Sequence, residues 1–341
     1  MLRIIQERLL CASVVAIAVL AVACASGRSE GTVTPTRPAV LAGGPNSPGP
    51  AGATATPTGS PSPTPEPVLV SLDWLASGVA VPGLGGPPAP PSLDAGLQEA
   101  VNGALAMFQG RASAVVHDLA DGRYAAVNDS QVWYAASTYK AAVLLTAYQQ
   151  RDAGTLDFDK VVTLEDKYVE DDLGTLEYLH LKVGDQISIR DAVKGMIVVS
   201  DTPLAVLMTD QVGGNNVDSV LRSIGAPTMS VNSHDLPTTA LDLTQLMIAI
   251  AAGQGVTAAS RDEMLSLMAQ EWFTEGIVAG LPAGTQYAHK SGSLGDNIHD
   301  AAIVWGPAGP YVITVMTDGS GGWAPIAAVS SAVWQYFEAN P

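Results

Sequence analysis

Residues 135–150 read Ala-Ala-Ser-Thr-Tyr-Lys-Ala-Ala-Val-Leu-Leu-Thr-Ala-Tyr-Gln-Gln, and past Lys140 the apolar side chains Ala141, Ala142, Val143, Leu144, Leu145, Ala147 and Tyr148 fall on every side of a helical wheel. A helix that is apolar all round is buried all round. The stretch therefore predicts a central helix with the rest of a domain packed about it. Upstream, Leu93 to Phe108 reads as a helix, and Ala112–Leu119 and Tyr124–Val127 flank Asp121-Gly122, a strong hairpin signal. Downstream, helical patterns run through Ile189–Val199, Pro203–Val212, Asn216–Ile224, Ala240–Ala252 and Ser260–Met268. Strand patterns return at Thr285–Ser293, Ile298–Trp305 and Tyr311–Thr317, the last two joined by the turn residues 306–310, and a helix from Ala324 to Phe337 closes the chain. Strands split between the two ends of a domain usually pair in one sheet. The expected fold is α+β: an antiparallel sheet flanked by helices, with an inserted all-helical lobe.

Working outward, the 341-residue chain holds 16 basic and 33 acidic side chains, a net charge of −17. Residues 1–92 balance four basic groups against four acidic ones, so the whole excess falls on the body, residues 93–341. With six lysines and no basic cluster, nucleic acid is excluded as an expected partner. Both cysteines, Cys11 and Cys24, precede the body, which leaves it no thiol for a disulfide, a zinc cage or a nucleophile.

Arg3 and Arg8 lead into an apolar or small-residue run from Leu9 to Ala23, the layout of an export signal and short for a membrane-spanning helix of ~20 residues. It closes with Leu20-Ala-Val-Ala-Cys24, which resembles a bacterial lipoprotein cleavage site. Residues 1–24 are thus expected to be a signal peptide with Cys24 as the lipid attachment point, mounting the exported body on the outer side of the cytoplasmic membrane; an uncleaved anchor or an ordinary secretory peptide exports it as well. Residues 25–92 are rich in Pro, Thr, Gly and Ser and read as a disordered spacer, because such a composition buries too little surface to offset chain entropy. Val68 to Val81, with Leu72, Trp74 and Leu75, is the exception, able to dock on the body.

Three short motifs carry the chemistry. Ser137-Thr138-Tyr139-Lys140 opens the buried helix, and a spacing of three sets the amine over the hydroxyl on one face. A hydroxyl is a weak nucleophile, and a lysine that burial and nearby positive charge have stripped of its proton is a base able to activate it. The start of a helix also offers free backbone N–H groups to an oxyanion. Ser200-Asp201-Thr202 lies on a turn between two helices, where a plain capping role is the alternative. Lys290-Ser291-Gly292-Ser293 is read within a strand, its small residues admitting a substrate backbone and its lysine a carboxylate; an ordinary edge strand with a gatekeeper lysine is the bland reading.

In this order, the three motifs resemble those of the penicillin-recognising serine enzymes, most closely the class A β-lactamases, with the likeness running from about Leu93 to Phe337. The resemblance implies that Ser137 attacks a lactam or peptide carbonyl, that Lys140 takes its proton, and that Ser200 passes a proton to the departing nitrogen. It further implies that Lys290 positions Ser200 and, with Ser291, holds the substrate carboxylate, that Asp201, Thr202, Gly292 and Ser293 complete substrate binding, and that the backbone N–H groups of Ser137 and Ser293 form the oxyanion hole. No metal or cofactor is implied. The expected partner is a small β-lactam or a peptidoglycan stem peptide, taken by a monomer.

The chain departs from that pattern in three places. Thr202 stands where the family usually has Asn, and Ser291 where it usually has Thr. The loop that carries the water-activating glutamate of class A enzymes is short here: no glutamate occurs between Glu177 and Glu263, and His234 and Asp235 are the only titratable groups between Gly225 and Thr238. These two are the candidates for a deacylation base. The readings left open are a β-lactam hydrolase, a D-Ala-D-Ala carboxypeptidase or transpeptidase, and a penicillin-binding protein that deacylates slowly. His289 and His299 are read as packing residues, and the acidic run Glu165–Glu177 as a solvated face.

Overall fold

The computed structural model describes residues 67–72, 82–84, 86–170 and 172–341. The export signal, Cys24, most of the spacer, and Trp74 and Leu75 lie outside these residues. In chain order the principal elements are β1 (Ser92–Leu93), α1 (Ala95–Leu105), β2 (Ala112–Asp118), β3 (Arg123–Val127), α2 (Lys140–Asp152), α3 (Ile189–Val198), α4 (Thr202–Val212), α5 (Gly214–Ser223), α6 (Ala240–Ala252), α7 (Ala258–Met268), β4 (Gln286–Leu294), β5 (Asn297–Gly306), β6 (Gly309–Thr317) and α8 (Ala324–Ala339). Among the described residues no helix is long and apolar enough to cross a membrane.

The strands form one six-stranded sheet in the order β1-β3-β2-β6-β5-β4. It is antiparallel except at one margin, where β1 runs parallel to β3. That short strand lies at the start of the predicted first helix. Helix α1 begins two residues past Leu93, where the Asp94 carboxylate accepts from the Leu97 amide at 2.8 Å and caps it.

The period of two in the strands sorts the core into two layers. Ala114, Val116, Ala302, Val304, Ile313 and Val315 face one side, with Ile326, Val329, Val333 and Phe337 of α8 packed against them. Val115, Ala301, Ile303, Val312 and Met316 face the other side, where α2 lies inside the helical lobe. Every residue of α2 from Lys140 to Tyr148 is buried, as its pattern requires.

Within the spacer, residues 67–72 include the start of the stretch expected to be able to dock on the body. Leu69–Val70 pairs parallel with Gln186–Ile187, adding a strand to a small sheet whose third member is Val161–Thr163. Leu72 is wholly buried in the lobe core. Gly195 makes room for it: a Cβ there would come within 2.4 Å of Leu204 Cδ1 and 3.1 Å of Leu72 Cδ1. Farther on, the Ala89 amide donates to Leu119 O at 3.0 Å and its carbonyl meets His117 Nε2 at 2.9 Å, so residues next to β1 are also held by the body. The docking rests on the buried Leu72 and a few backbone bonds.

Candidate active site

The sheet and the helical lobe bound a cleft of about 1060 Å³ whose walls include Ser137, Thr202, His234, Leu236 and Ser293. The segment leading to Ser137 is held by contacts to residues far along the chain. Trp133–Tyr134 pairs with Pro237–Thr238, the Ala135 amide donates to Leu236 O at 2.8 Å, and His299 Nε2 meets Tyr134 O at 2.9 Å. The chain then makes a 3-10 turn, Ala136–Tyr139, before α2 begins at Lys140. The predicted helix start is thus one tighter turn, bearing Ser137, followed by the α-helix proper. Gly292 of the edge strand β4 lies against this turn: a Cβ there would come within 2.8 Å of Ser137 N and 2.9 Å of Thr138 N, so only glycine permits the approach.

Five non-glycine residues among those described have positive φ, and Ala136 (47°), Ser200 (59°) and Leu236 (37°) are three of them. All three border the Ser137–Lys140 region. Strain of this kind persists only where the surroundings enforce it, and it gathers at functional sites.

Lys140 is wholly buried. Its Nζ donates to Ser137 Oγ at 3.0 Å, to the carbonyl of Ser200, and to Ser200 Oγ at 3.3 Å, with Thr202 Oγ1 at 3.5 Å. Burial first, and then the charge of Lys290, pull its pKa down to about 7, against the opposing pull of Asp201 and Glu271. A serine hydroxyl therefore sits within hydrogen-bond reach of an amine that gives up its proton near neutrality.

Asp201, expected among the substrate-binding residues, is wholly buried and faces away from that task. One carboxylate oxygen caps α4 by accepting from the Leu204 amide at 2.6 Å, and the other accepts from Thr175 Oγ1 at 2.5 Å. Burial raises its pKa to about 6 against these hydrogen bonds and the nearby Lys140. The capping role and the site role coexist in one motif: Asp201 fixes the turn, while Ser200 and Thr202 meet Lys140.

The strand motif is also engaged from behind. Lys290 is buried, and its Nζ pairs with Glu271 Oε1 and donates to its neighbour's carbonyl, Ser291 O, at 2.9 Å. Glu271 accepts from the Ser291 hydroxyl at 2.8 Å and from the Ser291 amide at 2.9 Å. The role expected of Lys290 toward Ser200 is electrostatic, and no hydrogen bond joins the two among the described residues; the Ser291 hydroxyl donates to Glu271. Ser293, next along β4, does line the cleft.

His234 and Asp235, the candidates for a deacylation base, face solvent, with side chains 103% and 92% exposed and Nδ1 3.5 Å from Oδ1. His234 borders the cleft at its rim. Sequence reasoning missed two acidic features. Glu170 and Asp172, within the run taken as solvated, border the cleft. Glu271 lies in the Gln270-Glu271-Trp272-Phe273 stretch, where a single acid beside two aromatics is the one available signal of a buried carboxylate.

An antiparallel sheet flanked by helices, with a helical lobe across a cleft, matches the β-lactamase/transpeptidase-like fold of solved neighbours. The chain belongs to the beta-lactamase enzyme family, whose model matches residues 96–337. Beta-lactamase L2 of Stenotrophomonas maltophilia is 27% identical over 223 residues, which span 60% of this chain and 73% of that one. The solved structure of PBP-A is 26% identical with a TM-score of 0.68, covering 74% of this chain and 99% of that one. A mutant of PBP-A has been solved as an acyl-enzyme complex with penicillin G. A β-lactamase from Sphaerobacter thermophilus is 25% identical with a TM-score of 0.65, covering 72% and 98% of the two chains. Family and fold together support a β-lactam hydrolase or penicillin-binding-protein-like function.

Proposed function

We propose that the protein opens the β-lactam amide through an acyl-Ser137 intermediate and that the acyl-enzyme forms faster than it is cleared. The observation that carries this reading is the 3.0 Å contact between a wholly buried Lys140 amine and the Ser137 hydroxyl, with the amine's pKa near 7. At neutral pH a large share of Lys140 is free base, matched to its task as a proton acceptor. Ser137 Oγ attacks the carbonyl carbon and loses its proton to Lys140 Nζ. Ser200 Oγ, 3.3 Å from the same nitrogen, hands a proton to the lactam nitrogen as the C–N bond breaks and is resupplied by Lys140. The close seating of Gly292 on the Ser137 turn supports an oxyanion site made of the Ser137 and Ser293 amides.

Slow release is supported by the exposure of His234 and Asp235, since a base surrounded by bulk water does not hold a single water molecule in place. The same feature favours a second reading, a penicillin-binding-protein-like enzyme whose natural substrate is a stem peptide. A signal peptide on residues 1–24 and a lipid on Cys24 would place either activity at the cell envelope.

The test is intact-mass spectrometry of the protein mixed with penicillin G. The expected outcome is a covalent adduct of the full mass of the drug that persists for minutes or longer, absent in Ser137→Ala. Rapid conversion of substrate with no accumulated adduct would replace the slow-release reading with an efficient hydrolase. The absence of both adduct and turnover would overturn acylation altogether.

A further inference from the structure

Glu271 is 3% exposed, and no part of the mechanism above uses it. It lies between α7 and β4 on a segment pinned to the lobe by the Trp272 amide, which donates to Val198 O, just before the Ser200 turn, at 3.0 Å. Its two oxygens take the Lys290 amine, the Ser291 hydroxyl and the Ser291 amide. On its far side His289 Nε2 stands 3.7 Å from Oε2, while His289 Nδ1 is 3.0 Å from Asp300 Oδ1. Asp300 is anchored in turn by the Ile277 amide at 2.8 Å. The cluster of Glu271, Lys290, His289 and Asp300 is thus closed to water and held from three segments. Burial alone would lower the His289 pKa, and Asp300 and Glu271 outweigh it to raise it.

We infer that Glu271 is a positioning residue for acylation: it clamps Lys290 and Ser291 onto the back of β4 and cancels much of the Lys290 charge that Lys140 would otherwise feel. The inference rests on the acyl-Ser137 reading and adds what tunes it. Lys140 is faced by Lys290, Asp201 and Glu271 as charged groups, and by the hydroxyls of Ser137, Ser200 and Thr202. Lys290 disfavours the protonated amine, and Asp201 and Glu271 favour it. A free Lys290 would drive Lys140 further down, while the caged one leaves it a base of middling strength at neutral pH. The cage also means that a substrate carboxylate meets a lysine already paired, so recognition of that group depends less on Lys290 than an open lysine would allow.

The experiment compares wild type, Glu271→Gln and Glu271→Asp by the pH profile of penicillin G acylation and by ¹³C-NMR titration of the Lys140 Cε signal. Removing the negative charge destabilises the ammonium form, so in Glu271→Gln the acid limb of the profile and the Lys140 titration both move to lower pH, by about one unit. Glu271→Asp, which keeps the charge, leaves both near the wild-type position even where the rate falls. Lys140 titrating at the same pH in wild type and Glu271→Gln would overturn the inference and leave Glu271 a structural residue. Should the single variants not fold, the double variant Glu271→Gln/Lys290→Gln replaces the ion pair by two amides of similar volume. Its Lys140 titration is expected within about 0.3 unit of wild type, because opposing charges leave together; an upward move of about one unit, the effect of losing an uncompensated Lys290, would overturn the inference. If penicillin G does not acylate the wild type, the functional reading fails by that result alone, and the NMR titration still decides the role of Glu271.

Discussion

Lys140 and Lys290 are both wholly buried beside one cleft, and they are opposite in chemistry. Lys140 Nζ has only uncharged oxygens within hydrogen-bond distance, from Ser137, Ser200 and Thr202. Lys290 Nζ meets a carboxylate, Glu271. Burial costs each ammonium several kcal/mol, and the two sites answer that cost differently: one by giving up the proton near neutrality, the other by forming an ion pair. Degree of burial therefore does not separate a base from a structural cation. The identity of the nearest partner does.

The sharpest way to break this contrast is a pair of matched substitutions. Lys140→Met keeps the volume and removes an amine that burial disfavours, so stability should hold while acylation of Ser137 falls by about 10³-fold, the usual worth of a general base. Stopped-flow or intact-mass kinetics with penicillin G checks the rate, and urea unfolding checks the stability. Lys290→Met leaves Glu271 as a buried charge without its cation and should cost about 3 to 5 kcal/mol of stability, which is the larger of the two stability effects. Equal stability losses in the two variants would show that the lysines are not different in kind.

The pH dependence sharpens the same comparison with a smaller effect. In the proposed mechanism Lys140 takes the Ser137 proton only when neutral, so the acylation rate should be flat above a pH of about 7 and fall as pH drops below it, approaching tenfold per unit. Asp201, with a pKa of about 6, bends this limb: once protonated it no longer favours the Lys140 ammonium, so the slope is shallower across the range in which Asp201 titrates and steepens again below it. A rate independent of pH between 5 and 8 would remove Lys140 from the proton transfer.

How much of this was legible beforehand depends on whether a feature is local or assembled. The helices and strands of the body were readable because their periodicity is local: Ala240–Ala252 was read to the residue, and the apolar positions of α8 follow from spacing alone. Ser137, Lys140 and Ser200 are legible as motifs, and the structure sets Lys140 Nζ 3.0 Å from Ser137 Oγ and 3.3 Å from Ser200 Oγ. Glu271 was not, since its partners lie 19 and 20 residues away along the chain and only the sheet edge unites them. Leu72 reads as able to dock, but whether a lone leucine finds a hole depends on Gly195, far off in sequence. Asp201 was assigned to the substrate because its motif resembled a binding motif, whereas its oxygens are spent on the Leu204 amide and the Thr175 hydroxyl.

The smallest expected effect concerns the cleft rim, where the contrast of buried and exposed groups reaches its limit. His234 and Asp235 form a 3.5 Å contact with both side chains in solvent. An exposed pair of this kind adds little to stability, and an imidazole in bulk water holds no fixed geometry toward Ser137. His234→Ala and Asp235→Ala should each change the lifetime of the penicillin G adduct by less than about twofold, while leaving its formation intact. A tenfold longer adduct lifetime in His234→Ala would mean that the rim closes over the acyl group and carries the histidine inward, making it the deacylation base that its position in the short loop first suggested. The rate of adduct decay, followed by mass at several pH values in wild type and His234→Ala, separates these outcomes: a histidine base gives the wild type a pH-dependent limb that the variant lacks, and an uninvolved histidine gives no difference.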